Sequence, residues 1–390
     1  MAKNEIAPVE ELQQRFALLL RPLGWLNAQV MRMRARLYER GVLRQWEAPV
    51  PTVSLGNVSW GGTGKTPMTS WFMKWAANRG MEAAVLTRGY GARPHSVPLR
   101  VQPGNLVEEA GDEPLMLAKE HPDAHVVVDP VRTRGGKWLF EHYSPGIVLL
   151  DDGMQHMAVK RHADIIFLRP SDIAQNWNRV IPAGSWREDE SALRRADCFM
   201  IKASPDYFKK INSHVRKRLG NLNRPVFSFS LSPKGFTQVL TGKFEKDFFG
   251  EPFLLVSGVG NPAQVQRAAR RYFNYKPVDH MVYRDHHSYC KADVLDILTT
   301  AKRRGARYVL CTQKDAVKLG PMCTEDFWAF SLRVDFGPSC FAQGSSFGVW
   351  WNRRWKTLNR EYDFGAPSGA GADDAATRET VEEHDGREKD

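Results

Sequence analysis

From residue 50 onward, short apolar runs alternate with amphipathic stretches, and the alternation predicts a sequence of strands and helices. Val50–Leu55 reads as a strand, followed by a Gly-rich turn and a helix from Thr66 to about Asn78. Ala83–Thr87, His125–Asp129, Ile147–Leu150, Ile165–Leu168 and Phe199–Ile201 continue the strand series, with helices at Leu115–Glu120 and Trp138–His142. A second block repeats the rhythm: a strand at Phe253–Val256, a helix to about Tyr272, a helix at Ala292–Arg304 and a strand at Tyr308–Thr312. Strands alternating with helices predict an α/β fold with a mostly parallel sheet covered on both faces. Val226–Leu231 and Trp328–Val334 flank the second block and alternate like strands, so they predict a two-stranded connector between a larger and a smaller α/β domain.

Ahead of these blocks lies a different pattern. Leu12, Phe16, Leu19, Leu20 and Leu23 recur at helical spacing, and Leu26, Val30, Met33 and Leu37 resume it after Pro22, where a kink or restart is expected. Arg15, Arg21, Arg32, Arg34, Arg36, Arg40 and Arg44 surround the stripe. That arrangement suits either an interfacial helix dipping into acyl chains or an amphipathic helix packed on its own domain. The resulting division is a helical segment at 1–45, a domain at 46–225, a smaller domain with its connector strands at 226–335, and an acidic tail at 363–390 expected to be disordered.

Charge sharpens the expectation about partners. The formal net charge is +11, but residues 361–390 carry −7, which leaves +18 on the rest and favours anionic ligands. Five scattered cysteines without a C-x-x-C pair argue against a disulfide framework or a zinc ribbon. No apolar run reaches the roughly 20 residues needed to cross a bilayer, and the start lacks a cleavable signal. The expected location is therefore cytoplasmic, with membrane contact through the N-terminal helix left open.

Ser59-Trp60-Gly61-Gly62-Thr63-Gly64-Lys65-Thr66 follows a predicted strand and opens a predicted helix, the context of a Walker A loop. Glycines let main-chain N–H groups turn toward phosphate oxygens at a helix N-terminus. Lys65 then serves the β- and γ-phosphates of ATP, and the Thr66 hydroxyl is a candidate Mg²⁺ ligand. Ser59 stands where the first glycine of the loop is usual. Asp151 and Asp152 end the apolar run Ile147–Leu150 and are the candidate metal carboxylates, with Gln155 close behind on the same edge.

A kinase additionally requires an acceptor site and a base. Asp112, in Gly111-Asp112-Glu113-Pro114, either caps a helix or serves as that base. Asp285-His286-His287 supplies a histidine to pair with it, and the pattern alone does not choose between His286 and His287. Arg88 and Tyr90 in Thr87-Arg88-Gly89-Tyr90-Gly91, together with Glu113 and Arg132, are the candidate acceptor-binding residues. A P-loop ATPase switch acting on nucleic acid or a protein partner is the alternative function, although no N-K-x-D guanine signature is present.

These motifs, taken in order, resemble the tetraacyldisaccharide 4′-kinase family, which phosphorylates the 4′ position of a lipid A precursor. The resemblance is carried by G-N-x-x-x-G-G-T-G-K-T-P at 56–67, T-R-G-Y-G at 87–91, G-D-E-P at 111–114 and D-D-G-M-Q-H at 151–156. It continues through P-A-G at 182–184, R-E at 187–188, G-x-G-N-P at 258–262, D-H at 285–286 and T-Q-K-D-A-V-K at 312–318. It implies ATP and Mg²⁺ as cofactors, a tetraacylated glucosamine disaccharide 1-phosphate as acceptor, Asp112 as base with His286 as partner, and Asp151, Asp152 and Gln155 at the metal. It also implies a peripheral position on the cytoplasmic face of the inner membrane through the N-terminal helix, with no nucleic-acid partner and no obligate protein partner. Trp60, Ser185-Trp186 and Gln313 depart from the family's usual residues.

Overall fold

The computed structural model describes residues 13, 15–248 and 250–362. The expectations placed on Leu12 and on the tail at 363–390 lie outside the described residues. Nine helices of seven or more residues and thirteen strands organise the remainder. In chain order these are α1 Ala17–Glu39, β1 Thr52–Asn57, α2 Lys65–Ala77, β2 Ala83–Thr87, β3 Leu99–Arg100, α3 Asp112–Glu120, β4 His125–Val128, α4 Arg132–His142, β5 Ile147–Asp151, β6 Ala163–Leu168 and β7 Cys198–Lys202. The second half holds α5 Pro205–Leu219, β8 Val226–Gln238, β9 Phe244–Glu245, β10 Phe253–Ser257, α6 Pro262–Phe273, β11 Asp279–Val282, α7 Lys291–Arg304, β12 Tyr308–Cys311, α8 Gln313–Leu319, β13 Phe327–Cys340 and α9 Phe347–Glu361.

One sheet runs through both halves in the order β11-β10-β12-β13-β8-β7-β6-β1-β5-β2-β4-β3, with β9 paired to β8. The strands β1, β2 and β6 are buried at every position, as a parallel sheet covered on both faces requires. The connector strands β8 and β13 are much longer than their apolar cores suggest, because their polar residues keep pairing antiparallel across the gap between the halves. That antiparallel pair decides where the functional cleft lies. β8 runs parallel to β7 and β13 runs parallel to β12, so the two parallel sets run in opposite senses. Their C-terminal edges, where loops and helix N-termini gather, therefore face each other.

Two elements differ from the sequence expectation. Helix α1 is one helix from Ala17 to Glu39 with Pro22 inside it, so the restart offered as one outcome of Pro22 does not occur. Proline there forfeits one bond to the carbonyl of Leu18, a residue 77% exposed near the helix start where water can satisfy it. Helix α9, absent from the sequence reading, lays Phe347, Trp351, Trp355 and Leu358 against α2, where Phe72 and Trp75 meet Trp351 edge-on at 4.9 and 5.5 Å. Aromatic pairs in this geometry add to the burial itself. The helix that carries Lys65 is thus held from behind by a tryptophan-rich brace.

Candidate active site

The candidate phosphate loop spans the turn between β1 and α2. Gly61 and Gly64 adopt φ values of 104° and 86°, a region where a Cβ would be strained, and a Cβ on Gly64 would also press within 3.0 Å of Phe229. Ser59 is buried and turns its hydroxyl away, donating to Asp172 Oδ2 at 2.7 Å. The Trp60 amide donates to the carbonyl of Ser185 at 3.1 Å, and Ser59 bridges Trp186. Arg169 ties this region together by donating to Ser185 Oγ at 2.6 Å and pairing with Asp172. Ser59, Trp60, Ser185 and Trp186, which all depart from the expected pattern, consequently touch one another and form a single alternative packing beneath the loop.

Lys65 extends from the start of α2 and donates to Asn57 Oδ1 at 2.7 Å, with Asp152 Oδ1 at 3.0 Å. Arg187 reaches Asp152 Oδ2 at 2.6 Å and Gln155 Oε1 at 3.1 Å, while Gln155 Nε2 donates to Glu188 Oε1 at 3.1 Å. Both ends of Gln155 are therefore engaged by the R-E pair. The two adjacent aspartates titrate in opposite directions. For Asp152, burial pushes the carboxyl up, but Lys65 and Arg187 outweigh it and hold it below its usual range. For Asp151, burial together with the negative charge of Glu113 raises the carboxyl to about 6 against the pull of Lys65, while Thr87 Oγ1 donates to it at 3.0 Å. Glu113 in turn accepts from the Thr66 hydroxyl at 2.8 Å.

Asp112 is the first residue of α3, and Gly111, at φ 83°, occupies the cap position. The Asp112 carboxylate is thereby free to face the cleft, accepting from the Glu113 amide with Oδ1 and meeting His286 Nδ1 at 3.0 Å with Oδ2. Burial pushes this carboxyl up, and the His286 bond with the charges of Lys314 and Lys318 brings it below its usual range. His286 sits at φ 59°, a left-handed turn that presents its ring across the gap. His287 points elsewhere, to Asp293 Oδ2 at 3.1 Å and onto the ring of Tyr283. His286 is therefore the histidine that reaches Asp112.

These groups line one cleft of about 640 Å³, which also receives Gly61, Thr87, Arg88, Tyr90, Arg132, His156 and Arg187. Tyr90 is 80% exposed and its ring approaches His286, whereas Arg132 is buried and donates to the carbonyl of Asp151 at 3.4 Å. Burial and the nearby Arg132, Arg34 and Arg161 depress His156 to about 4, so it is a neutral imidazole among cations. A second cleft of about 580 Å³ opens on the other side of Gly61 and Gly62 and is walled by Val259, Asn261, Val265, Phe330 and Leu332. Sequence reasoning brought forward neither Arg187 nor Lys314 by chemistry. Both lay within motifs of the resemblance, but only the folded chain shows which acids they serve.

Helix α1 closes the site from below. Arg34 donates to the carbonyl of Gln155 at 3.0 Å, Asn27 to that of Ile181 at 3.4 Å, and Arg32 pairs with Asp189. Gly24 lets the helix approach Val180, whose carbonyl would lie 2.8 Å from a Cβ. On the opposite side Leu18, Leu19, Leu23, Trp25, Leu26, Val30 and Met33 are exposed. Among the described residues no helix is long and apolar enough to cross a membrane.

Comparison with known proteins agrees with this geometry. Residues 16–344 match the family described as tetraacyldisaccharide-1-P 4′-kinase. The tetraacyldisaccharide 4′-kinase of Nitratidesulfovibrio vulgaris is 47% identical over 353 residues, covering 90% of this chain and 98% of that protein. The corresponding protein of Bdellovibrio bacteriovorus is 32% identical over 325 residues, with 81% and 94% covered. Among solved structures, LpxK from Aquifex aeolicus, crystallised in complex with ATP, superposes with a TM-score of 0.69 at 25% identity over 89% of this chain and 99% of that one. The alternative of a nucleotide switch acting on nucleic acid or a protein partner finds no support in these matches. With its loop, its paired aspartates and its sequence all in agreement, the chain belongs to the tetraacyldisaccharide-1-P 4′-kinase family.

Proposed function

We propose that this protein transfers the γ-phosphate of ATP to the 4′-hydroxyl of a tetraacyldisaccharide 1-phosphate, with Asp112 as the base. The observation that carries the reading is the Asp112–His286 pair at 3.0 Å, set in the same cleft as Lys65, Asp151 and Asp152. A base must lie opposite the phosphate loop to serve an acceptor between them, and the facing strand edges supply that opposition. His286 holds the Asp112 carboxylate while it takes the proton of the attacking hydroxyl. The acceptor oxygen forms a bond to the γ-phosphorus, the bond to the ADP oxygen breaks, and the negative charge leaves with ADP. Lys65 exchanges its contacts with Asn57 and Asp152 for phosphate oxygens.

The site fits Mg²⁺ at Thr66 and Asp151. Among the described residues no cation pairs directly with Asp151, and its rise to about 6 under burial and the Glu113 charge marks a place where negative charge is under-compensated. Thr66 and Asp151 would hold the metal, which would supply positive charge to offset the charge of the transferring phosphate. Asp152 and Gln155 support it by orienting Arg187. Arg88, Tyr90 and Arg132 are assigned to the acceptor, and the second cleft, with its apolar wall beyond Gly62, suits the nucleoside end of ATP.

The exposed apolar stripe of α1, flanked by arginines, supports a peripheral position on the cytoplasmic face of the inner membrane, with the acyl chains of the acceptor remaining in or near the bilayer. The test of the base is Asp112→Asn, assayed for transfer with nucleotide affinity measured in parallel. The expected result is lost turnover with ATP still bound. Intact turnover would return Asp112 to a structural role at the start of α3.

A further inference from the structure

Two motifs of the second half, together with Tyr289, converge on one fully buried carboxylate. Asp315, on α8, accepts from the Gly258 amide at 3.1 Å to each oxygen, from Tyr289 Oη at 3.1 Å and from Thr312 Oγ1 at 2.6 Å. A Cβ on Gly258 would lie 2.9 Å from Asp315 Oδ1, so only glycine permits this approach. The interactions bolt the start of α8 to the end of β10. They also fix the direction of the preceding residue, Lys314, whose ammonium crosses to the first half. It lies 3.1 Å from His286 Nε2, 3.6 Å from Asp112 Oδ2 and 3.5 Å from Glu113 Oε1. Lys314 also lines the second cleft beside Gly61 and Gly62.

An ammonium donates and cannot accept, so His286 Nε2 must be the acceptor of this contact. The ring proton then resides on Nδ1, the atom that faces Asp112. We propose that Lys314 is the positioning residue of the transfer centre: its ammonium selects the His286 tautomer that donates to Asp112, and so assembles the base only where the smaller lobe meets the larger one. Asp315, Gly258, Tyr289 and Thr312 are the frame that aims it. This explains why a lysine–aspartate pair on a short helix far along the chain belongs with the active site, and it assigns to Lys314 a role distinct from that of Lys65.

The inference rests on the kinase reading above, and its test separates the two. Full-length protein in detergent is assayed for phosphate transfer to the tetraacyldisaccharide 1-phosphate as wild type, Lys314→Ala and Lys314→Met, with melting temperature and nucleotide affinity recorded for each. Lys314→Ala is expected to lose about 100-fold in kcat, the scale of a lost polar group at a transition state, while KM for ATP moves by no more than about threefold. Ethylammonium in the buffer should restore about tenfold by refilling the vacated site, and tetramethylammonium, which carries the charge without an N–H, should restore nothing. Lys314→Met keeps the length of the side chain, and a matching loss of kcat at an unchanged melting temperature separates chemistry from folding. Full turnover in Lys314→Ala, or a loss confined to nucleotide affinity with no response to ethylammonium, would overturn the role of Lys314. Failure of the wild type to phosphorylate the acceptor would instead overturn the kinase reading.

Discussion

Asp151→Asn should make the protein more stable and inactive at once. In the metal-free protein the Asp151 carboxyl titrates at about 6 rather than at its usual 3.8, because burial and Glu113 both oppose its charge. An acid whose folded value is raised costs nothing below about pH 4 and its full penalty above about pH 6, at about 1.4 kcal/mol per pH unit of displacement, or about 3 kcal/mol here. Asparagine keeps an oxygen to accept from Thr87 Oγ1, which now lies 3.0 Å from the carboxylate, and it removes the charge. For a chain of this length about 3 kcal/mol corresponds to a rise of about 4 °C in melting temperature. The assay is calorimetry of metal-free and nucleotide-free protein at pH 5 and pH 8. The variant should melt higher than wild type at pH 8, and the difference should shrink to about half at pH 5, midway between the usual value of 3.8 and the raised value of about 6. Mg²⁺ with ATP should narrow the gap at pH 8 by stabilising the wild type alone, and transfer by the variant should be lost. A variant that melts lower than wild type at pH 8, or a gap independent of pH, would refute the claim that Asp151 is an uncompensated charge awaiting a cation.

Further consequences are open to measurement. His286→Ala removes the hydrogen bond that helps hold Asp112 below its ordinary value, so the acid limb of the kcat/KM profile should move to higher pH; an unmoved limb would mean that Asp112 is not the titrating base. Leu19→Asp with Leu23→Asp places charge on the exposed stripe of α1 and should release the protein from anionic vesicles while leaving its melting temperature unchanged, since both side chains face solvent; vesicle binding that persists would dissociate the stripe from the membrane. Trp351→Ala opens a cavity between α9 and α2 and should cost about 3–5 kcal/mol by denaturant titration. A cost under about 1 kcal/mol would show that the brace is dispensable.

Much of this architecture was legible because most strands of the first half carry a short apolar run, such as Ile147–Leu150 in β5, and because the glycine-rich turn sits where strand becomes helix. Ala83–Thr87 was read to the residue. The ends of β8 and β13 were not, since their outer halves are held by pairing to each other rather than by apolar burial, and pairing leaves no period in a single segment. Helix α9 does carry the spacing Phe347, Trp351, Trp355, Leu358, but the intervening Val349 and Trp350 blur it into a continuous aromatic stretch. At the site, Asp112 was ambiguous in sequence because Gly-Asp-x-Pro serves both capping and catalysis. In the fold Gly111 takes the cap position and the Asp112 carboxylate meets His286, the arrangement that the proposed base requires. The choice between His286 and His287 turned on one left-handed residue in an exposed loop, a matter no composition reveals. The mutual packing of Ser59, Trp60, Ser185 and Trp186 was equally hidden, since each departure looked isolated until the chain brought them together.

The central claim, that the cleft moves phosphate between ATP and a lipid sugar and does not merely hydrolyse ATP, is tested most directly by following label from γ-labelled ATP. Purified protein in detergent with Mg²⁺ and the tetraacyldisaccharide 1-phosphate should place the label on the 4′ oxygen, one per ADP formed, and Lys65→Ala should abolish it. ADP appearing with label only in free phosphate, acceptor present, would contradict the account.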